Sequence, residues 1–321
     1  MSSDDTNANT DASTDDEAGG GRGRARVISS AVGVLLLVGL LIGPCALHFA
    51  QKRHNQLPFD VAQAFPKQQP MVPGEAFATT LAEIVDHELS SSTGWRPNDL
   101  FLWGPGLWAD NNSNRQLGII QAMRESTRVF RDHLTKVSAT EYDPNLVDAD
   151  TKLRNDEYKF WFPSAESRFG EAVEALRRYV QGLGVEPRIS KPINRRNVEL
   201  IRLFQSWTDL LGGAHANLYD EDVSVWRTDD HFYHAQGLAH VMVHLTAAIR
   251  REYEAELRDR GTVLELLAQV EHSLARAALL KPLVVLDGDP AGLFANHRRN
   301  LDAYIFDARQ LLYSIREELE K

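Results

Sequence analysis

The sequence predicts an all-α protein: a helical-bundle-like extracytoplasmic domain carried by one N-terminal transmembrane helix. Three observations carry this expectation. An uncharged apolar run lies near the N-terminus. Beyond Gly74, apolar residues recur at helical spacing and strand-like alternation is nearly absent. The one cysteine, Cys45, lies inside the apolar run, which excludes an internal disulfide framework and any multi-cysteine metal site.

Residues 1–26 are Ser, Asp, Thr, Asn and Gly punctuated by arginines, and they offer almost nothing to bury against the entropy of ordering. A disordered, acidic cytoplasmic tail is expected. The chain carries a net charge of −10, and six acids against three arginines before Phe49 leave −7 on everything that follows. A domain of that sign gains nothing from counterion release on a phosphate backbone, so nucleic acid is not an expected partner.

Residues 27–49 read VISSAVGVLLLVGLLIGPCALHF, 23 residues with no Asp, Glu, Lys or Arg. At 1.5 Å per residue this crosses a hydrocarbon core of about 30 Å, so the lipid bilayer is the first expected partner. A cleaved signal peptide would have a shorter run and a small-residue cleavage site, and none is evident. A lipoprotein reading of Cys45 meets Pro44 where a small residue would precede the cysteine. Arg22, Arg24 and Arg26 before the run outnumber Lys52 and Arg53 after it, which favours a cytoplasmic N-terminus. In a bacterium the arrangement is single-pass in the inner membrane with a periplasmic C-terminal domain.

Residues 50–74 contain Pro58, Pro66, Pro70 and Pro73, and are expected to form a semi-stiff spacer. Residues 75–321 form the α-helical domain. Its expected helices are Glu75–Ser90, Ser113–Val137, Ala149–Trp161, Ser164–Gln181, Asn194–Leu211, Asp230–Arg258, Thr262–Leu280 and Pro290–Glu318. Ser164 after Pro163 and Asp289 before Pro290 are N-cap signals. Gly212 and Gly213 offer a left-handed stop after Leu211. The last helix carries Leu293, Phe294, His297, Leu301, Tyr304, Ile305, Ala308, Leu311, Leu312, Ile315 and Leu319 at spacings of three and four, one face buried within the domain rather than in a coiled coil.

Four histidines fall in DDHFYHAQGLAHVMVH. Clustered imidazoles suit zinc, but at 100° per residue His231 and His234 lie roughly opposite His240 and His244. The latter pair keeps the H-E-x-x-H spacing without its glutamate, so His240 and His244 are metal candidates on weak grounds, weighed against packing or capping roles. The acids Asp220, Glu221, Asp222, Asp229 and Asp230 match no calcium-loop spacing.

The segment WRPNDLFLWGPGLWADNNSNRQLG places Trp95, Trp103 and Trp108 within fourteen residues broken by Pro97, Gly104, Pro105 and Gly106. Three indoles on a loop either dock it onto the helices or form an aromatic platform, with Asn111, Asn112, Asn114 and Arg115 as nearby donors. Trp95, Trp103, Trp108, Asn111 and Arg115 are therefore the candidate ligand-binding set. No G-x-S-x-G, phosphate-binding loop or G-x-G-x-x-G occurs, so no catalytic residue and no cofactor are expected.

On WRPND, FLWGPGLWADN and NRQLG the chain resembles an uncharacterised proteobacterial family of membrane-anchored proteins known as a domain of unknown function. The resemblance extends over the apolar run, the spacer and most of the remainder. It implies an inner-membrane location and supplies no catalytic residues. The expected function is that of an envelope protein binding a protein or a cell-wall glycan. The alternative is a metal-dependent hydrolase using histidines of the Asp229 to His244 segment.

Overall fold

The computed structural model describes residues 16–55, 59–65, 71–91, 93–99, 110–135, 141–220, 223–224, 227–282, 284–288 and 295–321. The chain divides into two compact units, residues 1–46 and 47–321.

The first unit holds most of α1 (Asp16–His54), a single helix of 39 residues. It starts ten residues before Arg26, inside the tail for which disorder is expected, because once the apolar run is helical each further turn only propagates. Residues 1–15 lie outside the described residues. Side chains are described without a break from Val27 to Leu40, nearly all of them exposed. Among the described residues no helix is long and apolar enough to cross a membrane.

The second unit is helical. A 3-10 turn (Val61–Ala64) is followed by α2 (Glu75–Ser90), α3 (Asp110–Val129, ending in a π turn Phe130–Leu134), α4 (Pro144–Leu153) and α5 (Ala165–Leu183). Next come α6 (Asn197–Tyr219), α7 (Thr228–Glu252), the short α8 (Glu254–Leu257), α9 (Gly261–Ala278) and α10 (His297–Glu320). Among the described residues there is no strand beyond one bridge between Asp287 and Asn296. One apolar core runs through the unit, with Phe77, Phe130, Phe169, Tyr179, Phe204, Trp207, Phe232 and Tyr253 among its large rings. Helix α7 occupies the centre and packs on α2, α3, α6, α9 and α10, while α4 and α5 close against α2 and α3.

Two local devices set this packing. Glu252, buried at the end of α7, accepts hydrogen bonds from the Gly74, Ala76 and Phe77 amides at 2.9, 2.8 and 3.2 Å. It thereby satisfies the orphan donors at the start of α2 from 175 residues away in sequence. Gly74 takes φ +107°, and a Cβ there would lie 2.7 Å from the Tyr179 hydroxyl. The second device is the α3–α7 crossing, where a Cβ on Gly118 would lie 2.0 Å from the His234 carbonyl oxygen. A Cβ on Gly237 would lie 2.0 Å from that of Arg115.

Helix α2 has the expected bounds, and Ser164 caps α5 by accepting from the Ser167 amide at 3.3 Å. Other elements differ. The helix expected at Ala149–Trp161 spans Pro144–Leu153, because Asp143 accepts from the Asn145 and Leu146 amides and Pro144 opens the first turn. Its far end stops where Arg124 takes the Leu153 and Asn155 carbonyls at 2.7 Å each. The following Tyr158, Phe160, Trp161 and Phe162 are exposed. Gly212 and Gly213 do not end α6, which runs to Tyr219: the Arg309 guanidinium lies 3.1 Å from where a Gly212 Cβ would be, so glycine there makes room for a neighbour. Helix α10 begins at His297 with Asn296 as its cap, and Asp289, Pro290, Leu293 and Phe294 lie outside the described residues. Its stripe Leu301, Ile305, Ala308, Leu312, Ile315 and Leu319 is buried against α6 and α9, as expected for a face inside the domain. The expected spacer is partly built into the second unit: α1 continues through His54, Gln51 and Val61 are buried, and the 3-10 turn rests on α2.

Candidate functional site

A cavity of about 350 Å³ opens between the last turn of α1 and helices α2, α3, α7 and α9. Helix periodicity decides what faces it. From α3 come Asn111, Asn112 and Arg115; from α7 come Tyr233, Gln236, His240, Val243 and His244, a stripe at spacings of three and four. Helix α2 adds His87, α1 and its end add Gln51, Lys52 and Asn55, and Phe59 follows. The opposite wall is apolar, made by Ala275 and Ala278 of α9 and by Leu279, Leu280 and Pro282 beyond it.

Phe59 organises the imidazoles. Its ring meets His87 at 4.5 Å, His244 edge-on at 4.9 Å and His240 at 5.7 Å, while His240 and His244 sit 4.8 Å apart. His54 stacks on His87 at 4.2 Å. Burial, reinforced by the nearby Arg115 charge, pushes His240 well below the usual imidazole range and His244 down to about 4. Burial also lowers His87. At neutral pH these three rings are therefore uncharged, each presenting one donor and one acceptor nitrogen.

Arg115 is fixed from behind. Its guanidinium donates to Glu88 at 2.8 Å, and the Gln116 amide donates to the other carboxylate oxygen at 3.1 Å. Burial would raise the Glu88 carboxyl, but the Arg115 charge and these hydrogen bonds win and hold it below the ordinary range. Asn55 donates to Asn112 at 2.7 Å and joins the end of α1 to α3. Among the described residues several lining polar atoms find no partner: both amide atoms of Gln51, Asn55 Oδ1, Asn111 Oδ1 and His240 Nε2. Gln51 is only 2% exposed. Buried polar atoms left unmatched cost free energy, so several of them among the residues of one lining mark it as a candidate ligand site.

The structure thus brings Asn111, Arg115, His240 and His244 to one site, although they come from two separate motifs. Trp95 lies elsewhere: it is buried, meets Phe169 edge-on at 4.9 Å and donates from Nε1 to the Glu157 carbonyl at 2.8 Å. Trp103 and Trp108 lie outside the described residues. His231 and His234 do not reach the cavity, as the helical angle requires; His234 faces a different groove with Arg128 and Asn217. Among the described residues no three His, Cys, Asp or Glu side chains are placed to hold a metal ion. Sequence reasoning missed Gln51, Asn55, Phe59 and His87. The available signal was His87-Glu88, two polar residues inside the apolar period of α2, and it shows only once α3 is known to lie against them.

The residues matched by a family model are 22–218 and 209–321, nearly the whole chain, and the model describes an uncharacterized protein conserved in bacteria, DUF2333. The chain belongs to that family. Comparisons with curated proteins and with solved structures give no match. Within DUF2333 the chemistry must therefore be read from the cavity itself. The described lining has no Ser, Thr or Cys to attack and no Asp or Glu to act as an acid or base. It offers three cations, neutral imidazoles, amides and hydrocarbon side chains, the mixture of groups that ligand pockets use.

Proposed function

We propose that this DUF2333 protein is a membrane-anchored envelope protein of bacteria whose helical unit binds a small molecule, or the end of a larger envelope component, in the cavity between α2, α3, α7 and α9. One observation carries the reading: the lining joins Gln51, Asn55, Asn111 and His240, whose buried polar atoms lack partners among the described residues, with the apolar side chains of α9 and the residues after it. Anchoring rests on the uncharged run 27–49 and on the exposed apolar side chains from Val27 to Leu40. The arginines before the run support a cytoplasmic N-terminus and a periplasmic helical unit in the inner membrane. A protein or glycan partner falls within the same reading where one of its groups enters the cavity. The hydrolase alternative has no observation in its favour.

The test is direct. The full chain is extracted from membranes, denatured, and the released small molecules are identified by mass spectrometry beside Ala278→Trp, which fills the cavity from the α9 wall. A molecule released by the parent and missing from a folded Ala278→Trp supports the reading, and identical release from both overturns it. A phosphatase fused after Gly74 should be active; an inactive fusion with a glowing cytoplasmic reporter at the same position would reverse the orientation.

A further inference from the structure

We infer that the ligand of the cavity is a single-chain anionic amphiphile, held by its hydrocarbon chain along the α9 wall and by its anionic head among Arg115, Lys52 and Lys281. The inference rests on the cavity being a ligand site, as proposed above, and adds the chemistry of what fills it.

Charge speaks first. In a chain of net charge −10, the described lining of this cavity holds Lys52, Arg115 and Lys281 and no carboxylate. Glu88 neutralises Arg115 from behind, and among the described residues neither lysine has a carboxylate partner, with Lys281 exposed. An anion is the group this arrangement favours. The neutral imidazoles of His240 and His244 and the Gln51 amide nitrogen add donors of the kind a carboxylate or phosphate oxygen accepts from.

The other half of the lining answers to hydrocarbon. Phe59, Val243, Ala275, Ala278, Leu279, Leu280 and Pro282 present no polar side chain. Of these Leu279 is 63% exposed, and Val284, two residues beyond Pro282, is 62% exposed, so apolar surface continues from the lining to the outside. Such a surface suits a molecule that arrives from an apolar phase. Size limits the chain. At about 30 Å³ for each water-sized group, 350 Å³ holds roughly a dozen such groups. That is one chain of medium length and not two. A free fatty acid and a single-chain phospholipid share this chemistry.

The full chain in nanodiscs of uncharged phospholipid is photolabelled with a diazirine derivative of dodecanoate, and the labelled peptides are mapped. Label on the α9 to Pro282 segment, competed by dodecanoate at least tenfold better than by dodecanol, is the expected result. Acetate and inorganic phosphate should not compete. Equal or better competition by a single-chain phosphatidylglycerol assigns the phosphate-headed source, and poor competition by it assigns the fatty acid. Lys52→Gln with Lys281→Gln, two side chains outside the core, should weaken labelling tenfold or more without lowering the melting temperature. If dodecanol competes as well as dodecanoate, or if the double variant labels normally, the anionic head is wrong while the cavity still binds. If no probe labels the cavity and a folded Ala278→Trp releases the same molecules as the parent, the ligand site itself fails.

Discussion

Gly118 of α3 and Gly237 of α7 lie against each other with no side chain between them, so that a Cβ on Gly118 would sit 3.2 Å from the Gly237 Cα and far inside the His234 carbonyl. This contact sets how deep α3 sinks onto α7, and with it the meeting of Arg115 and His240 in the cavity. Gly118→Ala forces the two backbones apart and should cost at least about 1–3 kcal/mol, as overpacked cores do. Gly213→Ala, where a Cβ meets nothing within 4 Å inside α6, should instead stabilise by about 0.5–1 kcal/mol. Chemical denaturation of the pair checks both signs, and equal effects would remove the close approach as the cause.

Glu252 gives a second prediction. Glu252→Ala leaves the Gly74, Ala76 and Phe77 amides without their acceptor inside the protein, at about 1–3 kcal/mol for each buried group that water cannot reach. Glu252→Gln keeps one acceptor oxygen and should lose less. Hydrogen exchange should locate the damage in the first turn of α2, whereas uniform loosening would argue against a capping role.

The lowered histidines make stability depend on pH, and the sign is fixed. The folded state holds His244 at about 4 against an ordinary 6.5, so between those values the unfolded chain binds more protons. Its stabilising contribution is complete above about 6.5 and is lost as pH falls toward 4, roughly 3 kcal/mol for His244 alone. His240 adds to the slope in the same direction. Melting temperature followed from pH 7.5 to 4.5 should fall, and His244→Gln should flatten the curve. A parent curve as flat as the variant's would contradict the burial of these rings.

Trp95→Ala should cost about 3–5 kcal/mol, because the indole is buried against Phe169 and tied to the Glu157 carbonyl. Ligand capture by whatever fraction stays folded should be unchanged. Normal melting with lost capture would return Trp95 to the ligand.

Helices announced by a local rule were legible in the sequence. The period and bounds of α2, the Ser164 cap and the stripe of α10 all depend on neighbours within a turn or two. What depended on distant chain was not legible. Gly212 reads as a stop until Arg309 is seen against it, and Arg124 ends α4 from 29 residues away. The candidate site divides in the same way. Arg115 and His240 stand out singly, one beside a tryptophan-rich loop and one in a histidine-rich helix. Nothing in their spacing reveals that two glycines bring those helices together.

The last turn of α1 and the ring of Phe59 wall the cavity, yet they precede the residue at which the sequence suggests the domain begins. A fragment cut at Glu75 would keep the core and the helical spectrum while losing Gln51, Lys52, Asn55 and Phe59. It would also lose Gly74, whose amide donates to Glu252, so the start of α2 would loosen together with one wall of the cavity. The stalk of this protein is part of its cavity wall, so a graft of the helical body onto another tether would not carry the whole cavity with it.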